Sequence, residues 1–149
     1  MKRMLLAASI GTLLLSAGGQ SVAACAPGGG VTAVNTVATL NTLLSGNTVC
    51  SPPTASQPNF QWQELHQAGG ALIDFKRGPG HAVDPSETVG SWAATSPVPS
   101  GARATVTHTY LGAGGTYIYS VFNNGDGTHS FCGANGTFET RIKTGGGAC

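Results

Sequence analysis

Charge is what this 149-residue sequence has least of. Only 9% of its residues are Asp, Glu, Lys or Arg, against about 25% in ordinary soluble domains. Seven basic residues face six acidic ones, which excludes an electrostatic nucleic-acid binder, because neutralising phosphates needs a clustered positive surface. Catalytic signatures are missing as well: there is no Gly-x-Ser-x-Gly elbow, no His-Glu-x-x-His, no phosphate-cradling Gly-rich loop and no Cys-x-x-Cys. Without Cys-x-x-Cys-His, covalent c-type haem is excluded. No self-similarity recurs over a period of 20–50 residues, so solenoids and propellers are set aside. The 23 Gly and 8 Pro fall short of the level of low-complexity disorder. A single globular domain remains.

The first 24 residues read as a secretory signal peptide. Lys2 and Arg3 precede the apolar stretch Met4 to Leu15, and the small, polar segment SAGGQSVAA follows. The apolar stretch is too short for a spanning helix, which needs roughly 20 residues, and no later run could span a membrane as a helix. Two processing routes are consistent with the residues. Val22-Ala23-Ala24 suits ordinary signal peptidase, giving a soluble exported (periplasmic or extracellular) chain. Val22-Ala23-Ala24-Cys25 also resembles a bacterial lipobox, which would anchor the chain through a lipid on Cys25, with the Gly-rich residues 25–36 as a flexible tether. Removing Lys2 and Arg3 leaves Lys76, Arg77, Arg103, Arg141 and Lys143 against six acids, a net charge of −1.

Four cysteines (Cys25, Cys50, Cys132 and Cys149) follow the signal, and an even number in an exported chain implies two disulfides. Cys50 and Cys132 each end a strand-like run, whereas Cys25 and Cys149 lie in Gly-rich termini. The expected pairing is therefore Cys50 with Cys132 and Cys25 with Cys149.

Residues 37–149 form the expected domain. From Val31 to Ser45, apolar residues at helical spacing predict a short helix confined to the Leu-rich end, stopped at Gly46. The loop 51–59 carries three prolines, which cannot join a central sheet. Thereafter short runs rich in Thr, Val, Tyr and Phe alternate with Gly and Asn turns. With NTVC they make about eight antiparallel strands, a mainly all-β meander forming a small barrel or sandwich. Asp84-Pro85-Ser86-Glu87 adds one helical start, with Asp84 as cap and Pro85 at the first helical position.

Strand alternation gathers one candidate site. In FQWQELHQ, Phe60, Trp62, Glu64 and His66 share a face; in ARATVTHTY, Ala104, Val106, His108 and Tyr110 share another. Tyr117, Tyr119 and Val121 likewise share a face in TYIYSVF. With these faces inward, Trp62, Glu64, His66, His108 and Tyr110 become candidate ligand-binding residues. Two imidazoles and a carboxylate (His66, His108 and Glu64) could hold a divalent metal, or act as a general acid and base. The bland alternative is a hydrogen-bonded pair at a barrel rim. His81, His129, Asp74 and Trp92 carry no evident chemistry.

The run Trp62-Gln63-Glu64-x-His66, followed by Gly70-x-Leu72-x-Asp74-Phe75-Lys76-x-Gly78, Asp84-Pro85 and Val89-Gly90-Ser91-Trp92, resembles a pattern of small exported proteobacterial β-rich proteins that carry no assigned activity. It covers roughly residues 44–132. Gly90-Ser91-Trp92 is also similar to the Gly-x-Trp of lipocalins and avidins, a resemblance that implies a ligand-holding barrel.

The functional expectation is a non-enzymatic module that binds a small apolar ligand or a metal ion. A structural or surface-interaction subunit capable of self-association stands second. A hydrolase using Glu64 and His66 stands third.

Overall fold

Period-two alternation makes strands that pair with their neighbours along the chain. The computed structural model describes residues 24–55, 59–75, 86–96 and 103–149. In order these form β1 (Thr32–Ala33), α1 (Val37–Leu44), β2 (Asn47–Ser51), β3 (Trp62–His66) and β4 (Ala71–Phe75). There follow β5 (Ser86–Thr95), β6 (Thr105–Tyr110), β7 (Gly115–Asn123), β8 (Thr128–Gly133) and β9 (Gly136–Lys143). From β2 to β9 each strand pairs antiparallel with the next, and β9 returns to pair with β2. The result is a closed eight-strand antiparallel barrel, which removes the unpaired edges that an open sheet would present. The short β1 lies outside it, against the end of β7.

The alternation decides what fills the barrel. Val49, Leu72, Trp92, Val106, Val121 and Phe131 point inward and are buried. Gly90, Ser91 and Trp92 lie on β5, the fourth strand of the barrel. A side chain at Gly90 would run into the Thr109 carbonyl on β6, so glycine permits the close approach of these two strands.

One end of the barrel is plugged by α1. Thr36 caps it, its hydroxyl accepting from the Thr39 amide at 3.1 Å and satisfying one of the amides that a helix start leaves open. Leu40 and Leu44 are fully buried, each contributing about 2 kcal/mol by leaving water. The helix packs against β2, β5 and β6. It ends where expected, with Gly46 at φ 78°, a conformation glycine adopts without strain.

The described segments flanking the barrel, residues 24–34 and 144–149, lie on its outer wall. At the start, Ala24 donates to the Ser130 hydroxyl at 2.8 Å, Val34 donates to the Val121 carbonyl at 2.9 Å, and Cys25 is bonded to Cys132. At the far end, Thr48 donates to the Gly147 carbonyl at 2.8 Å, Cys149 donates to the Gln63 side chain at 2.8 Å, and Cys50 is bonded to Cys149. Two disulfides indicate an oxidising, non-cytoplasmic location. Among the described residues, no helix is long and apolar enough to cross a membrane.

Three expectations are corrected. The cysteines pair Cys25–Cys132 and Cys50–Cys149, not Cys50–Cys132 and Cys25–Cys149. Cys50 on β2 and Cys132 on β8 stand on either side of β9. Two strand spacings of about 4.8 Å each put them beyond the roughly 7 Å that a disulfide spans. Residues 25–36 are not a free tether but a segment hydrogen-bonded and cross-linked to the wall. The helical start at 84–87 is replaced by strand from Ser86 onward, because Glu87 and Ser86 join the ladder with Asp74 and Phe75. Asp84, Pro85 and His81 lie outside the described residues, as do residues 1–23 of the signal segment.

Candidate functional site

All five candidate side chains project into the barrel, as the alternation requires. Trp62, Glu64 and His66 descend one wall on β3, and His108 and Tyr110 stand on β6. The five divide into two layers with different chemistry.

The deeper layer is a pair of buried imidazoles. His66 and His108 are fully buried, with Nε2 atoms 3.0 Å apart. Their tautomers follow from the partners. His66 Nδ1 faces the Glu64 main-chain carbonyl at 3.3 Å, which can only accept, so His66 carries its proton on Nδ1. Its Nε2 must then accept from His108 Nε2–H, leaving His108 Nδ1 as a bare lone pair. That atom is buried without a partner, an orphaned acceptor and not an orphaned donor. Burial holds both rings neutral, lowering His66 to about 3, with His108 adding to the effect, and His108 to about 4. The Trp92 ring meets His66 edge-on at 5.2 Å, while its indole N–H donates to the Gln67 carbonyl at 2.9 Å.

The upper layer borders a cavity of about 570 Å³ at the opposite end from α1, lined by Ser51, Gln61, Trp62, Glu64, Tyr110, Gly114, Tyr117, Tyr119 and Phe138. All three tyrosines of the chain are among these residues. The rings form a continuous wall. Trp62 meets Phe138 at 4.9 Å, Phe138 meets Tyr119 at 5.1 Å, Tyr119 lies parallel to Tyr117 at 6.5 Å, and Tyr117 meets Tyr110 at 5.7 Å. Glu64 completes the circuit, accepting the Tyr110 hydroxyl on Oε2 at 3.0 Å. Gly133 leaves the space that one wall needs: a Cβ there would stand 2.8 Å from the Tyr119 ring.

Glu64 is the one carboxyl among the described lining residues. Its burial pushes its pKa from 4.5 up to about 7, a rise that hydrogen bonds from Trp62 and Tyr110 only partly offset and to which the neighbouring Asp74 adds. Asp74 stands directly across the ladder from Glu64. Tyr110 is raised far above the usual phenol range, first by burial and then by Glu64.

The residues expected as a metal set do not converge. His66 and His108 engage each other, and Glu64 engages Tyr110. Among the described residues, no group of three or more His, Cys, Asp or Glu side chains is placed to hold a metal ion. Nor does His66 reach the Glu64 carboxyl: its ring nitrogens are occupied by a main-chain carbonyl and by His108. His129 lies apart, half-buried in a groove beside α1 with Leu43 and Ile142.

Several lining residues were not singled out from sequence. Tyr117 and Tyr119 were visible as one strand face, but nothing in the alternation says that β7 stands opposite β3. Phe138 carries only the alternation of TFETRIK. Ser51 and Gln61 border the loop after β2, where no periodicity exists to read.

The architecture and the cavity together define the class: a small closed β-barrel, plugged at one end by a helix and hollow and aromatic at the other. No family model, curated protein or solved structure matches the chain.

Proposed function

We propose that this protein is an exported, non-enzymatic binding module that holds one small molecule in the open end of its barrel. The observation that carries this reading is the cavity of about 570 Å³ walled by Trp62, Tyr110, Tyr117, Tyr119 and Phe138. Its volume falls within the roughly 300–1,000 Å³ of small-molecule sites, which are mostly apolar with a few placed polar groups. Eight-strand barrels with the same meander, such as lipocalins and streptavidin, have interiors suited to a single small ligand. The shared Gly-x-Trp of Gly90-Ser91-Trp92 supports the same reading.

Export is supported by the two disulfides and the signal-like N-terminus. A soluble product is favoured over a lipid anchor, because the Cys25 sulfur that acylation would use is bonded to Cys132. The reading as a structural subunit is weakened by barrel closure, which leaves no long unpaired edge for assembly.

Ligand-observed NMR against a library of small aromatic and aliphatic molecules tests the proposal. Hits are expected to weaken at least ten-fold in a Tyr117→Ala variant and to remain unchanged in Ile118→Ser, whose side chain lies on the outer face. Hits that respond to Ile118→Ser and ignore Tyr117→Ala would reject the cavity as the site.

A further inference from the structure

The cavity is walled by aromatic rings, and the ionisable acid among its described lining residues is Glu64. Trp62, Phe138, Tyr119, Tyr117 and Tyr110 follow one another in ring contact, and Glu64 fills the gap between Tyr110 and Trp62. Lys and Arg are absent from the described lining residues. The two described arginines whose guanidinium groups lie over aromatic rings do so elsewhere, Arg103 over Phe122 and Arg141 over Phe60, each at 5.0 Å. A neutral apolar ligand would use the rings alone and leave the Glu64 carboxyl to its hydrogen bonds from Tyr110 and Trp62. A cation uses both, since aromatic faces attract positive charge and a buried carboxylate requires a countercharge.

We propose that the occupant is an organic cation, an alkylated or aryl-substituted ammonium group seated against Trp62, Tyr110, Tyr117, Tyr119 and Phe138 with Glu64 as its counter-ion. This deepens the binding-module reading and rests on it. A metal ion is poorly matched to the same place, because among the described lining residues Glu64 is the one carboxylate and no His or Cys joins it. The cavity suits a bulky, weakly hydrated cation that brings apolar surface with its charge.

Binding and protonation are then coupled. The titratable groups facing Glu64 are His66 on its own strand, Asp74 on β4, Tyr110 and His108 on β6, and Tyr119 on β7; the register partner on β2 is Val49, which does not titrate. Burial keeps His66, His108, Tyr110 and Tyr119 uncharged near neutrality. Glu64, at about 7, is the group that changes state. A cation binds the carboxylate, so below pH 7 a proton must leave Glu64 for solvent first, and affinity falls as pH falls.

The experiment compares two probes of equal shape by calorimetry, neither of which titrates between pH 5.5 and 8: the permanent cation 3-methoxyphenyltrimethylammonium and its neutral carbon counterpart 3-tert-butylanisole. At pH 8 the cation is expected to bind at least ten-fold more tightly than the anisole. Its affinity is expected to drop ten-fold or more on moving to pH 5.5, while the anisole's stays level. In Glu64→Gln, which keeps the acceptor for Tyr110, the preference is expected to shrink below three-fold and the pH dependence to vanish. Equal affinity for the two probes at pH 8, or a pH-independent cation, overturns the cation proposal and leaves the binding-module reading intact. Failure of both probes to bind wild-type protein overturns both. The wild-type pH series needs no variant, so misfolding of Glu64→Gln would not rescue the proposal.

Discussion

Replacing Glu64 with Gln is expected to stabilise the protein at alkaline pH and to change little in acid. A carboxyl pKa that folding raises from 4.5 to about 7 contributes stability that is fully present below 4.5 and lost as pH rises through 7. Each pH unit of that rise is worth about 1.4 kcal/mol, so the folded state loses about 3 kcal/mol once Glu64 must ionise inside the barrel. Gln carries no charge at any pH and still accepts the Tyr110 hydroxyl, so the variant avoids this loss. Urea unfolding at pH 8 and pH 5 measures it. With a slope of about 1–2 kcal/mol per molar urea for a domain of this size, the midpoint of Glu64→Gln should exceed that of wild type by about 2 M at pH 8. At pH 5 the gap should shrink to about 0.5 M. A variant that is less stable than wild type by the same amount at both values would refute the reasoning. It would mean that the ionised carboxyl makes a favourable contact that burial does not outweigh.

The histidine pair acts in the opposite direction. Folding lowers His66 to about 3 and His108 to about 4, so their contribution is present above 6.5 and lost as pH falls. In a Glu64→Gln background, stability should fall by about 3 kcal/mol per pH unit between 6 and 4.5, and a flat urea midpoint over that range would count against two neutral, buried rings. Gly133→Ala should cost about 1–3 kcal/mol through overpacking, since its Cβ would sit 2.8 Å from the Tyr119 ring; an unchanged melting temperature and near-UV circular dichroism would contradict the packing described. The double variant Cys50→Ser/Cys149→Ser removes a cross-link of sequence separation 99 and should lose about 4–5 kcal/mol in the chain-entropy picture. Limited proteolysis should then cut after Lys143, and equal resistance to protease would show that hydrogen bonds alone hold the tail.

Strand number and the inward faces were legible because both depend on local alternation and on Gly- and Asn-rich turns. Trp62, Glu64, His66, His108 and Tyr110 could therefore be placed together before the strands were ordered in space. Long-range closure was not legible. That β9 returns to β2 is a statement about a pair some 90 residues apart, and the cysteine pairing depends on it. Cys50 and Cys132 each lie near a strand end, yet β9 stands between them, and each instead bonds a cysteine outside the barrel strands, Cys149 and Cys25. Ser86 and Glu87 show the same limit: the residues of a helix cap were present, but an open ladder position beside β4 outweighed them. The division of the candidate residues into a sealed imidazole pair and an open aromatic cavity was equally hidden. It depends on depth along the barrel, which period-two alternation does not encode.

The central claim is that a small molecule occupies the aromatic end of the barrel. The most direct measurement is a titration of ¹³C-aromatic-labelled protein with 3-methoxyphenyltrimethylammonium, followed by two-dimensional NMR at pH 8. The account predicts saturable shifts confined to Trp62, Tyr110, Tyr117, Tyr119 and Phe138, with Trp92 and Phe122 unmoved. Shifts absent from those five rings, or confined to the outer-wall Phe122, would contradict it.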